Sequence, residues 1–285
     1  MTIPLNVATI NHAQTKRRAD GTSYQSLAHE DELQLASAYN VPAKEVQIAA
    51  LGSKIVPERY CRNQNSLSCR EQISLLTSRV AIIGQGGLGG MVTEILTRIG
   101  VGALTLVDGD SFEESNLNRQ LLSTLDTLGD NKAATGKSRA AAINPAVEVE
   151  AVTEFLTREN GHAILAGADL AVDCLDSITS RFILEDACRS LRIPFVSAAI
   201  GGTAGQALVI FPDDTGLRTI YGPPETASNK GMETRLGTLP FTAVFMAAVE
   251  CAETVSLLCR NFSVLRNTLF VADLEDKSFE KIPLP

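Results

Sequence analysis

Arg79 to Gly90 reads RVAIIGQGGLGG, and few architectures accept such a stretch. Val80 to Ile83 is a short apolar run rich in β-branched residues, the pattern of a strand buried on both faces. Gly84, Gly86 and Gly89 then fit G-x-G-x-x-G, with Gly87 between them. Such a loop turns tightly into a helix N-terminus, where backbone N–H groups can approach phosphate oxygens. The pattern predicts a helix from about Leu88 to Arg98 that stops at Gly100, then a strand over Leu104 to Val107. That strand runs into Asp108, 19 residues after Gly89, and on to Asp110. An acidic side chain at such a strand end can accept hydrogen bonds from ribose hydroxyls. Taken alone, this unit holds an adenosine, whether of NAD, FAD or ATP.

The polar residues that follow favour phosphate chemistry. Asn116, Arg119 and Gln120 come shortly after the second strand, and Lys132 twelve residues after Gln120. Hydride transfer has no use for them. Nucleotidyl transfer does, because Arg and Lys stabilise charge that builds on phosphate oxygens as pyrophosphate leaves. Asn116 is a candidate to orient a phosphate or a metal-bound water. In LAVDCLDS, an apolar strand over about Leu170 to Val172 ends in Asp173 and Asp176. Carboxylates at the C-terminal ends of parallel strands sit where such sheets keep their ligands. Asp176 is therefore a candidate Mg²⁺ ligand, since nucleotide-bound Mg²⁺ takes one or two protein carboxylates. The competing reading makes Asp176 a cap for a helix starting near Ser177. Asp173 is expected to serve structure.

In this order the motifs resemble those of the ThiF/MoeB/HesA family, bacterial relatives of ubiquitin-activating enzymes that adenylate the C-terminal glycine of small ubiquitin-fold sulfur carriers. The resemblance spans about Ile55 to Pro285. It implies an α/β fold: a Rossmann-like mixed sheet flanked by helices, with a C-terminal antiparallel extension. Residues 1–54 would form a short helical extension, and 55–285 the adenylyltransferase domain. The resemblance also implies that Gly84 to Gly89 holds ATP and that Asp108 grips its ribose. Arg119 and Lys132 would contact the phosphates, and Asp176 the Mg²⁺. The family's R-Y-x-R-Q sequence, whose second arginine reaches into the partner subunit's site, is matched by RYCRN at Arg59 to Asn63. Arg62 takes that role, with Asn63 in place of the glutamine, and a homodimer is implied. The implied reaction is attack of a carrier's Gly-Gly carboxylate on the α-phosphate, giving acyl adenylate and pyrophosphate with no protein nucleophile.

Cysteine placement narrows the subtype. Many members of the family hold zinc with two C-x-x-C pairs. Neither pair exists here, and the spacings of eight in Cys61/Cys69 and Cys251/Cys259 suit tetrahedral zinc poorly, so no zinc is expected. Some members carry a nucleophilic cysteine in a long crossover segment. The corresponding stretch, Gly222 to Leu239, has none. A separate sulfur donor would then complete thiocarboxylate formation. Cys174 and Cys188 read as buried packing.

Of 285 residues 45% are hydrophobic and 20% charged, enough for one large core, and six cysteines without framework spacing suit a reducing, cytoplasmic setting. No signal peptide and no membrane span are expected. The net charge of -8 argues against nucleic acid as a main partner. Met1 to Tyr24 reads as polar and poorly ordered, followed by helices over Leu27 to Tyr39 and Ala43 to Leu51. That pair resembles a helix-turn-helix, but the second helix lacks a basic cluster. Further on, the pattern predicts strands at Ile193 to Gly202 and Gly205 to Phe211 and a helix over Thr242 to Leu258. A final hairpin turns at Glu275 to Lys277, with Asp273 a possible carrier contact. Three alternatives compete: an ATP-dependent dehydratase of tRNA threonylcarbamoyladenosine, a non-catalytic Rossmann subunit and an NAD oxidoreductase. The overall acidity counts against the first, and the set Arg119, Lys132 and Asp176 against the second.

Overall fold

The computed structural model describes residues 3–227, 229, 231, 233–260 and 265–285. Its N-terminal part is more regular than the sequence suggests. After α1 (Leu5–His12) come β1 (Gln14–Arg17) and β2 (Ser23–Leu27), an antiparallel hairpin. Then follow α2 (His29–Tyr39) and α3 (Ala43–Gly52), and β3 (Ile55–Pro57) adds to β2 in parallel. The expectation of poor order over Met1 to Tyr24 therefore fails for the described residues. Its cause is composition: QTKR and SYQSL carry little periodic apolar signal. Their order comes from pairing with β3 and from a small core of Ala8, Leu27, Leu35, Val46, Ala50 and Ile55. Asn40 ends α2 in the left-handed conformation, φ 52°, which asparagine tolerates.

This unit is tied to the rest by a buried polar chain. The Tyr60 hydroxyl donates to Gln47 Oε1 (3.2 Å) and accepts from Asn144 Nδ2 (2.9 Å), and Gln47 Nε2 donates to Glu32 Oε2 (3.0 Å). Leu51, Val56, Tyr60 and Leu76 pack around it.

From α4 (Cys69–Thr77), whose Ser68/Glu71 capping box fixes its start, the chain enters β4 (Arg79–Ile83), α5 (Gly89–Ile99), β5 (Ala103–Val107), α6 (Lys132–Ile143) and β6 (Glu148–Val152). It then crosses back through α7 (Gly161–Ile164) to β7 (Leu170–Asp173), α8 (Ile178–Leu191), β8 (Phe195–Gly201) and β9 (Ala204–Ile210). Two short helices, α9 (Arg218–Tyr221) and α10 (Glu233–Leu236), precede α11 (Pro240–Cys259), β10 (Thr268–Asp273) and β11 (Ser278–Pro283). The eight strands form one sheet ordered β11-β10-β9-β8-β7-β4-β5-β6. The five from β8 to β6 are parallel, and β9, β10 and β11 extend the sheet antiparallel. Alternation along β4 sends Val80 and Ile82 to a core with α5 and α11, and Ala81 and Ile83 to a core with α8.

α11 covers the helix expected over Thr242 to Leu258. Over 20 residues it is long and apolar enough to cross a membrane, although Glu250 and Glu253 interrupt its run. Half of that segment is buried in this protein, with Met246, Ala247 and Cys251 in the core beside β8 and β9.

Candidate functional site

The order of strands reverses between β4 and β7. Helix α5 leaves β4 on one face and α8 leaves β7 on the other, so a crevice opens at their C-terminal ends. A cavity of about 410 Å³ lies there, bounded by the glycine loop at Gly84, Gly86 and Gly87, by Asp108, Asp110, Arg119, Gln120 and Lys132, by Cys174 to Asp176, and by Glu233, Thr234 and Thr238 of the crossover segment. A larger depression, about 980 Å³, opens at the opposite end of the sheet among Ser68, Asp169, Pro194 and Arg260, and holds none of these groups.

Backbone geometry explains two of the glycines. Gly84 has φ +93°, and a Cβ there would lie 2.6 Å from the Cys174 carbonyl oxygen. A Cβ on Gly89 would lie 1.8 Å from Gly84 O, so this turn closes only on glycine. Gly86 and Gly87 leave ordinary space toward the cavity. Asp108 is buried; its Oδ2 accepts from Gln85 N–H (2.7 Å) and its Oδ1 from Asp110 N–H (2.9 Å). Burial pushes its carboxyl above the usual range, against the pull of those N–H bonds and of Lys132. Lys132 opens α6 and reaches Asp110 Oδ2 at 3.1 Å. Asn131 caps that helix through Ala134 N–H and donates to the Asp108 and Asp110 carbonyls.

Arg119 donates to Ser115 O (3.1 Å) and Asn118 Oδ1 (2.8 Å) at the cavity wall. Gln120 is 6% exposed, and among the described residues its Oε1 has no partner. An amide buried with an unmade bond on a cavity wall fits a site shaped for a ligand. Asp176 is exposed on the cavity, and among the described residues its carboxylate has no hydrogen-bond partner. Ser177, not Asp176, caps α8, through Ser180 N–H. Two candidates stand elsewhere. The Asn116 side-chain oxygen accepts from Glu113 N–H (3.0 Å) in a tight turn and does not line the cavity. Arg62 lies exposed before α4, away from the cavity of its own chain.

The family model for the ThiF family matches residues 60–285. The chain belongs to the ThiF family. It is 34% identical over 231 residues to the SAMP-activating enzyme E1 of Haloferax volcanii, covering 79% of this chain and 84% of that protein. It is 30% identical over 281 residues to the adenylyltransferase and sulfurtransferase MOCS3 of Drosophila yakuba, covering 96% of this chain but only 61% of that longer protein. The crystal structure of E. coli MccB shares the fold, with a TM-score of 0.69 at 17% identity over 96% of this chain and 92% of that one.

Within this ThiF-family fold, sequence reasoning missed two residues at the site. Arg181 is 4% exposed beneath the cavity, where its Nη1 donates to Asp173 Oδ2 (2.8 Å), Ser197 Oγ (3.2 Å) and Ala198 O (2.7 Å), and its Nη2 to Leu175 O. The available signal was an arginine between Ile178 and Phe182, in the buried register of α8. Phe155 is a large aromatic left exposed at the rim, its ring lying over Gly109. Asp173 is fully buried against Arg181 and Ser197, as a structural role requires. Among the described residues, no three His, Cys, Asp or Glu side chains gather to hold a metal. Cys174 and Cys188 are buried.

Proposed function

We propose that this chain is an ATP- and Mg²⁺-dependent adenylyltransferase that activates the C-terminal carboxylate of a small ubiquitin-fold sulfur carrier ending in Gly-Gly. The observation that carries this reading is convergence: Gly86, Asp108, Arg119, Lys132 and Asp176, drawn from the β4–α5, β5–α6 and β7–α8 connections and the start of α6, line one cavity at the reversal point of the sheet. The names borne by the Haloferax and Drosophila relatives support it.

The cavity volume lies within the range of small-molecule sites, about 300–1,000 Å³. The open backbone at Gly86 and Gly87 admits phosphates, and Asp108 keeps acceptor capacity for ribose hydroxyls. Phe155 offers one ring face to a base. The polyphosphate takes Lys132 from Asp110, and Arg119 exchanges Ser115 O and Asn118 for the departing pyrophosphate. Asp176 is the free carboxylate that suits Mg²⁺, which when bound neutralises phosphate charge. The carrier carboxylate attacks the α-phosphate and pyrophosphate leaves, so catalysis is positioning and electrostatics. Arg62 enters the partner's cavity in a homodimer. With no cysteine between Gly222 and Leu239, sulfur comes from a separate donor; residues 228, 230 and 232 of that segment lie outside the described residues.

The test is ATP–pyrophosphate exchange dependent on a Gly-Gly carrier, with intact-mass detection of the carrier adenylate. Exchange without a carrier, or capture of tRNA in place of a small protein, overturns the assignment.

A further inference from the structure

The segment that carries Asp176 is held by a device built into the floor of the cavity. Cys174 N–H donates to Ile83 O (2.9 Å), continuing the ladder between β7 and β4. Leu175 N–H donates to Asp173 Oδ1 (3.1 Å), and Leu175 O accepts from Arg181. Both sides of residue 175 are thereby fixed to a pair that is itself buried: Asp173 is 0% exposed and Arg181 4%. The same guanidinium reaches Ala198 O and Ser197 Oγ on β8, and Ser197 Oγ donates to Asp173 Oδ2 (2.6 Å). One planar group thus joins the end of β7, the strand beside it and the loop into α8. The next side chain along, Asp176, stands free on the cavity wall.

We propose that Arg181 is a positioning residue for Asp176: by holding the Leu175 carbonyl while paired with Asp173, it fixes the backbone from which the carboxylate meets Mg²⁺·ATP. The proposal rests on the reading of Asp176 as the metal-side carboxylate. A buried Arg–Asp pair is weak evidence for stability as such, because desolvation offsets much of the attraction. Here the bonds beyond the pair all go to the elements that frame the cavity. Lysine cannot replace it, since an ammonium is a single donor centre where the guanidinium spans separated acceptors. Loss of partners that orient a metal ligand typically costs about 10- to 100-fold in affinity.

The experiment uses the whole chain without a carrier. ATP binding is measured by calorimetry across a Mg²⁺ titration, and AMP binding without Mg²⁺. Arg181→Lys is expected to raise the Mg²⁺ concentration at half-effect by about tenfold while AMP affinity stays within about twofold. Asp176→Asn should give the same split, and the double variant should be no worse than the more affected single one, the mark of residues acting as a unit. Equal losses of AMP and Mg²⁺·ATP binding, an unmoved Mg²⁺ midpoint, or effects that add in the double variant each overturn the proposal. If Arg181→Lys does not fold, Ser197→Ala removes one partner of the cluster and should move the midpoint by about twofold, in the manner of a weaker outer-shell loss; no movement overturns it. Wild-type ATP binding that ignores Mg²⁺ would instead remove the Asp176 reading itself, and carrier-free measurement keeps that failure separate from failure of carrier adenylation.

Discussion

Asp173 and Asp176 stand three residues apart in one segment, yet Asp173 accepts three hydrogen bonds and Asp176, among the described residues, none. Asp173 belongs to a floor in which carboxylate, guanidinium, hydroxyl and two carbonyls satisfy one another. Asp176 belongs to a rim with Arg119, Lys132 and Gln120, where bonds are few, local or missing. Buried polar groups left half-paired destabilise a fold, so a rim of this kind is explained by what binds there, and the floor by what it holds in place.

Substitutions on the two sides should therefore fail in different ways. On the rim, Arg119→Ala and Asp176→Ala are expected to cut carrier-dependent ATP–pyrophosphate exchange by about 10³-fold or more. Their melting temperatures should stay close to wild type, because Asp176 is exposed and Arg119 only half-buried, and substitutions outside the packed core shift stability by about 0.5 kcal/mol or less. On the floor, Arg181→Met leaves Asp173 buried without a counter-charge and should cost about 3–5 kcal/mol of stability. Thermal melts of the three proteins decide it. A rim variant that melts early, or an Arg181→Met protein that melts like wild type, breaks the division.

The glycine loop allows a finer cut. Gly84 faces the floor: alanine there would sit at φ +93° with its methyl 2.6 Å from the Cys174 carbonyl, a strain of about 1–3 kcal/mol. Gly87 faces the rim, with its nearest neighbours at 3.6 Å and beyond. Gly87→Ala should keep its melting temperature and lose ATP affinity, since the methyl enters space meant for phosphate. Calorimetry with ATP on both variants separates the two outcomes, and equal thermal losses would show that the loop acts as one structural piece.

How far this division could be read from residues alone follows from the physics of each signal. The strand–glycine–helix unit was legible because β4 is buried on both faces and α5 stops at Gly100 in the left-handed conformation, both written in local sequence. That Asp108, Lys132 and Asp176 meet at one cavity was legible because strand ends and helix starts converge at the end of such a sheet. Asn116 misled because a polar residue near a phosphate motif serves equally well to close a turn, as its bond to Glu113 N–H does. Arg181 stayed hidden because a lone arginine in a helical pattern is ordinarily a surface residue, and two of its partners, Ser197 and Ala198, come only with the return of β8 beside β7. The order of β1 and β2 was hidden for a like reason, since pairing with β3 is a long-range event that polar four- and five-residue strands do not announce.

A pH-dependent effect concerns Glu250, which lies behind the floor on α11. It is fully buried, its Oε1 has no partner among the described residues, and its Oε2 lies 3.9 Å from Cys174 Sγ. Burial pushes its carboxyl well above the ordinary carboxylate range, nearby Asp173 adds to the rise, and Arg181 opposes it in part. The sign of the pH effect follows from proton counts. Below the unfolded value both states hold the proton and Glu250 makes no difference. Above it, the unfolded chain releases the proton while the folded one keeps it, so stability falls as pH rises, by up to about 1.4 kcal/mol per unit until the folded value is reached. Glu250→Gln keeps the shape and removes the titration. Its melting temperature should therefore decline less steeply than wild type from pH 5 to 8, with a gap that widens toward pH 8. Each 1 kcal/mol in that gap is worth about 2–4 °C for a chain of this order of size. Parallel melting curves across that range would mean that Glu250 ionises in place, and that solvent reaches further behind the floor than its bonds indicate.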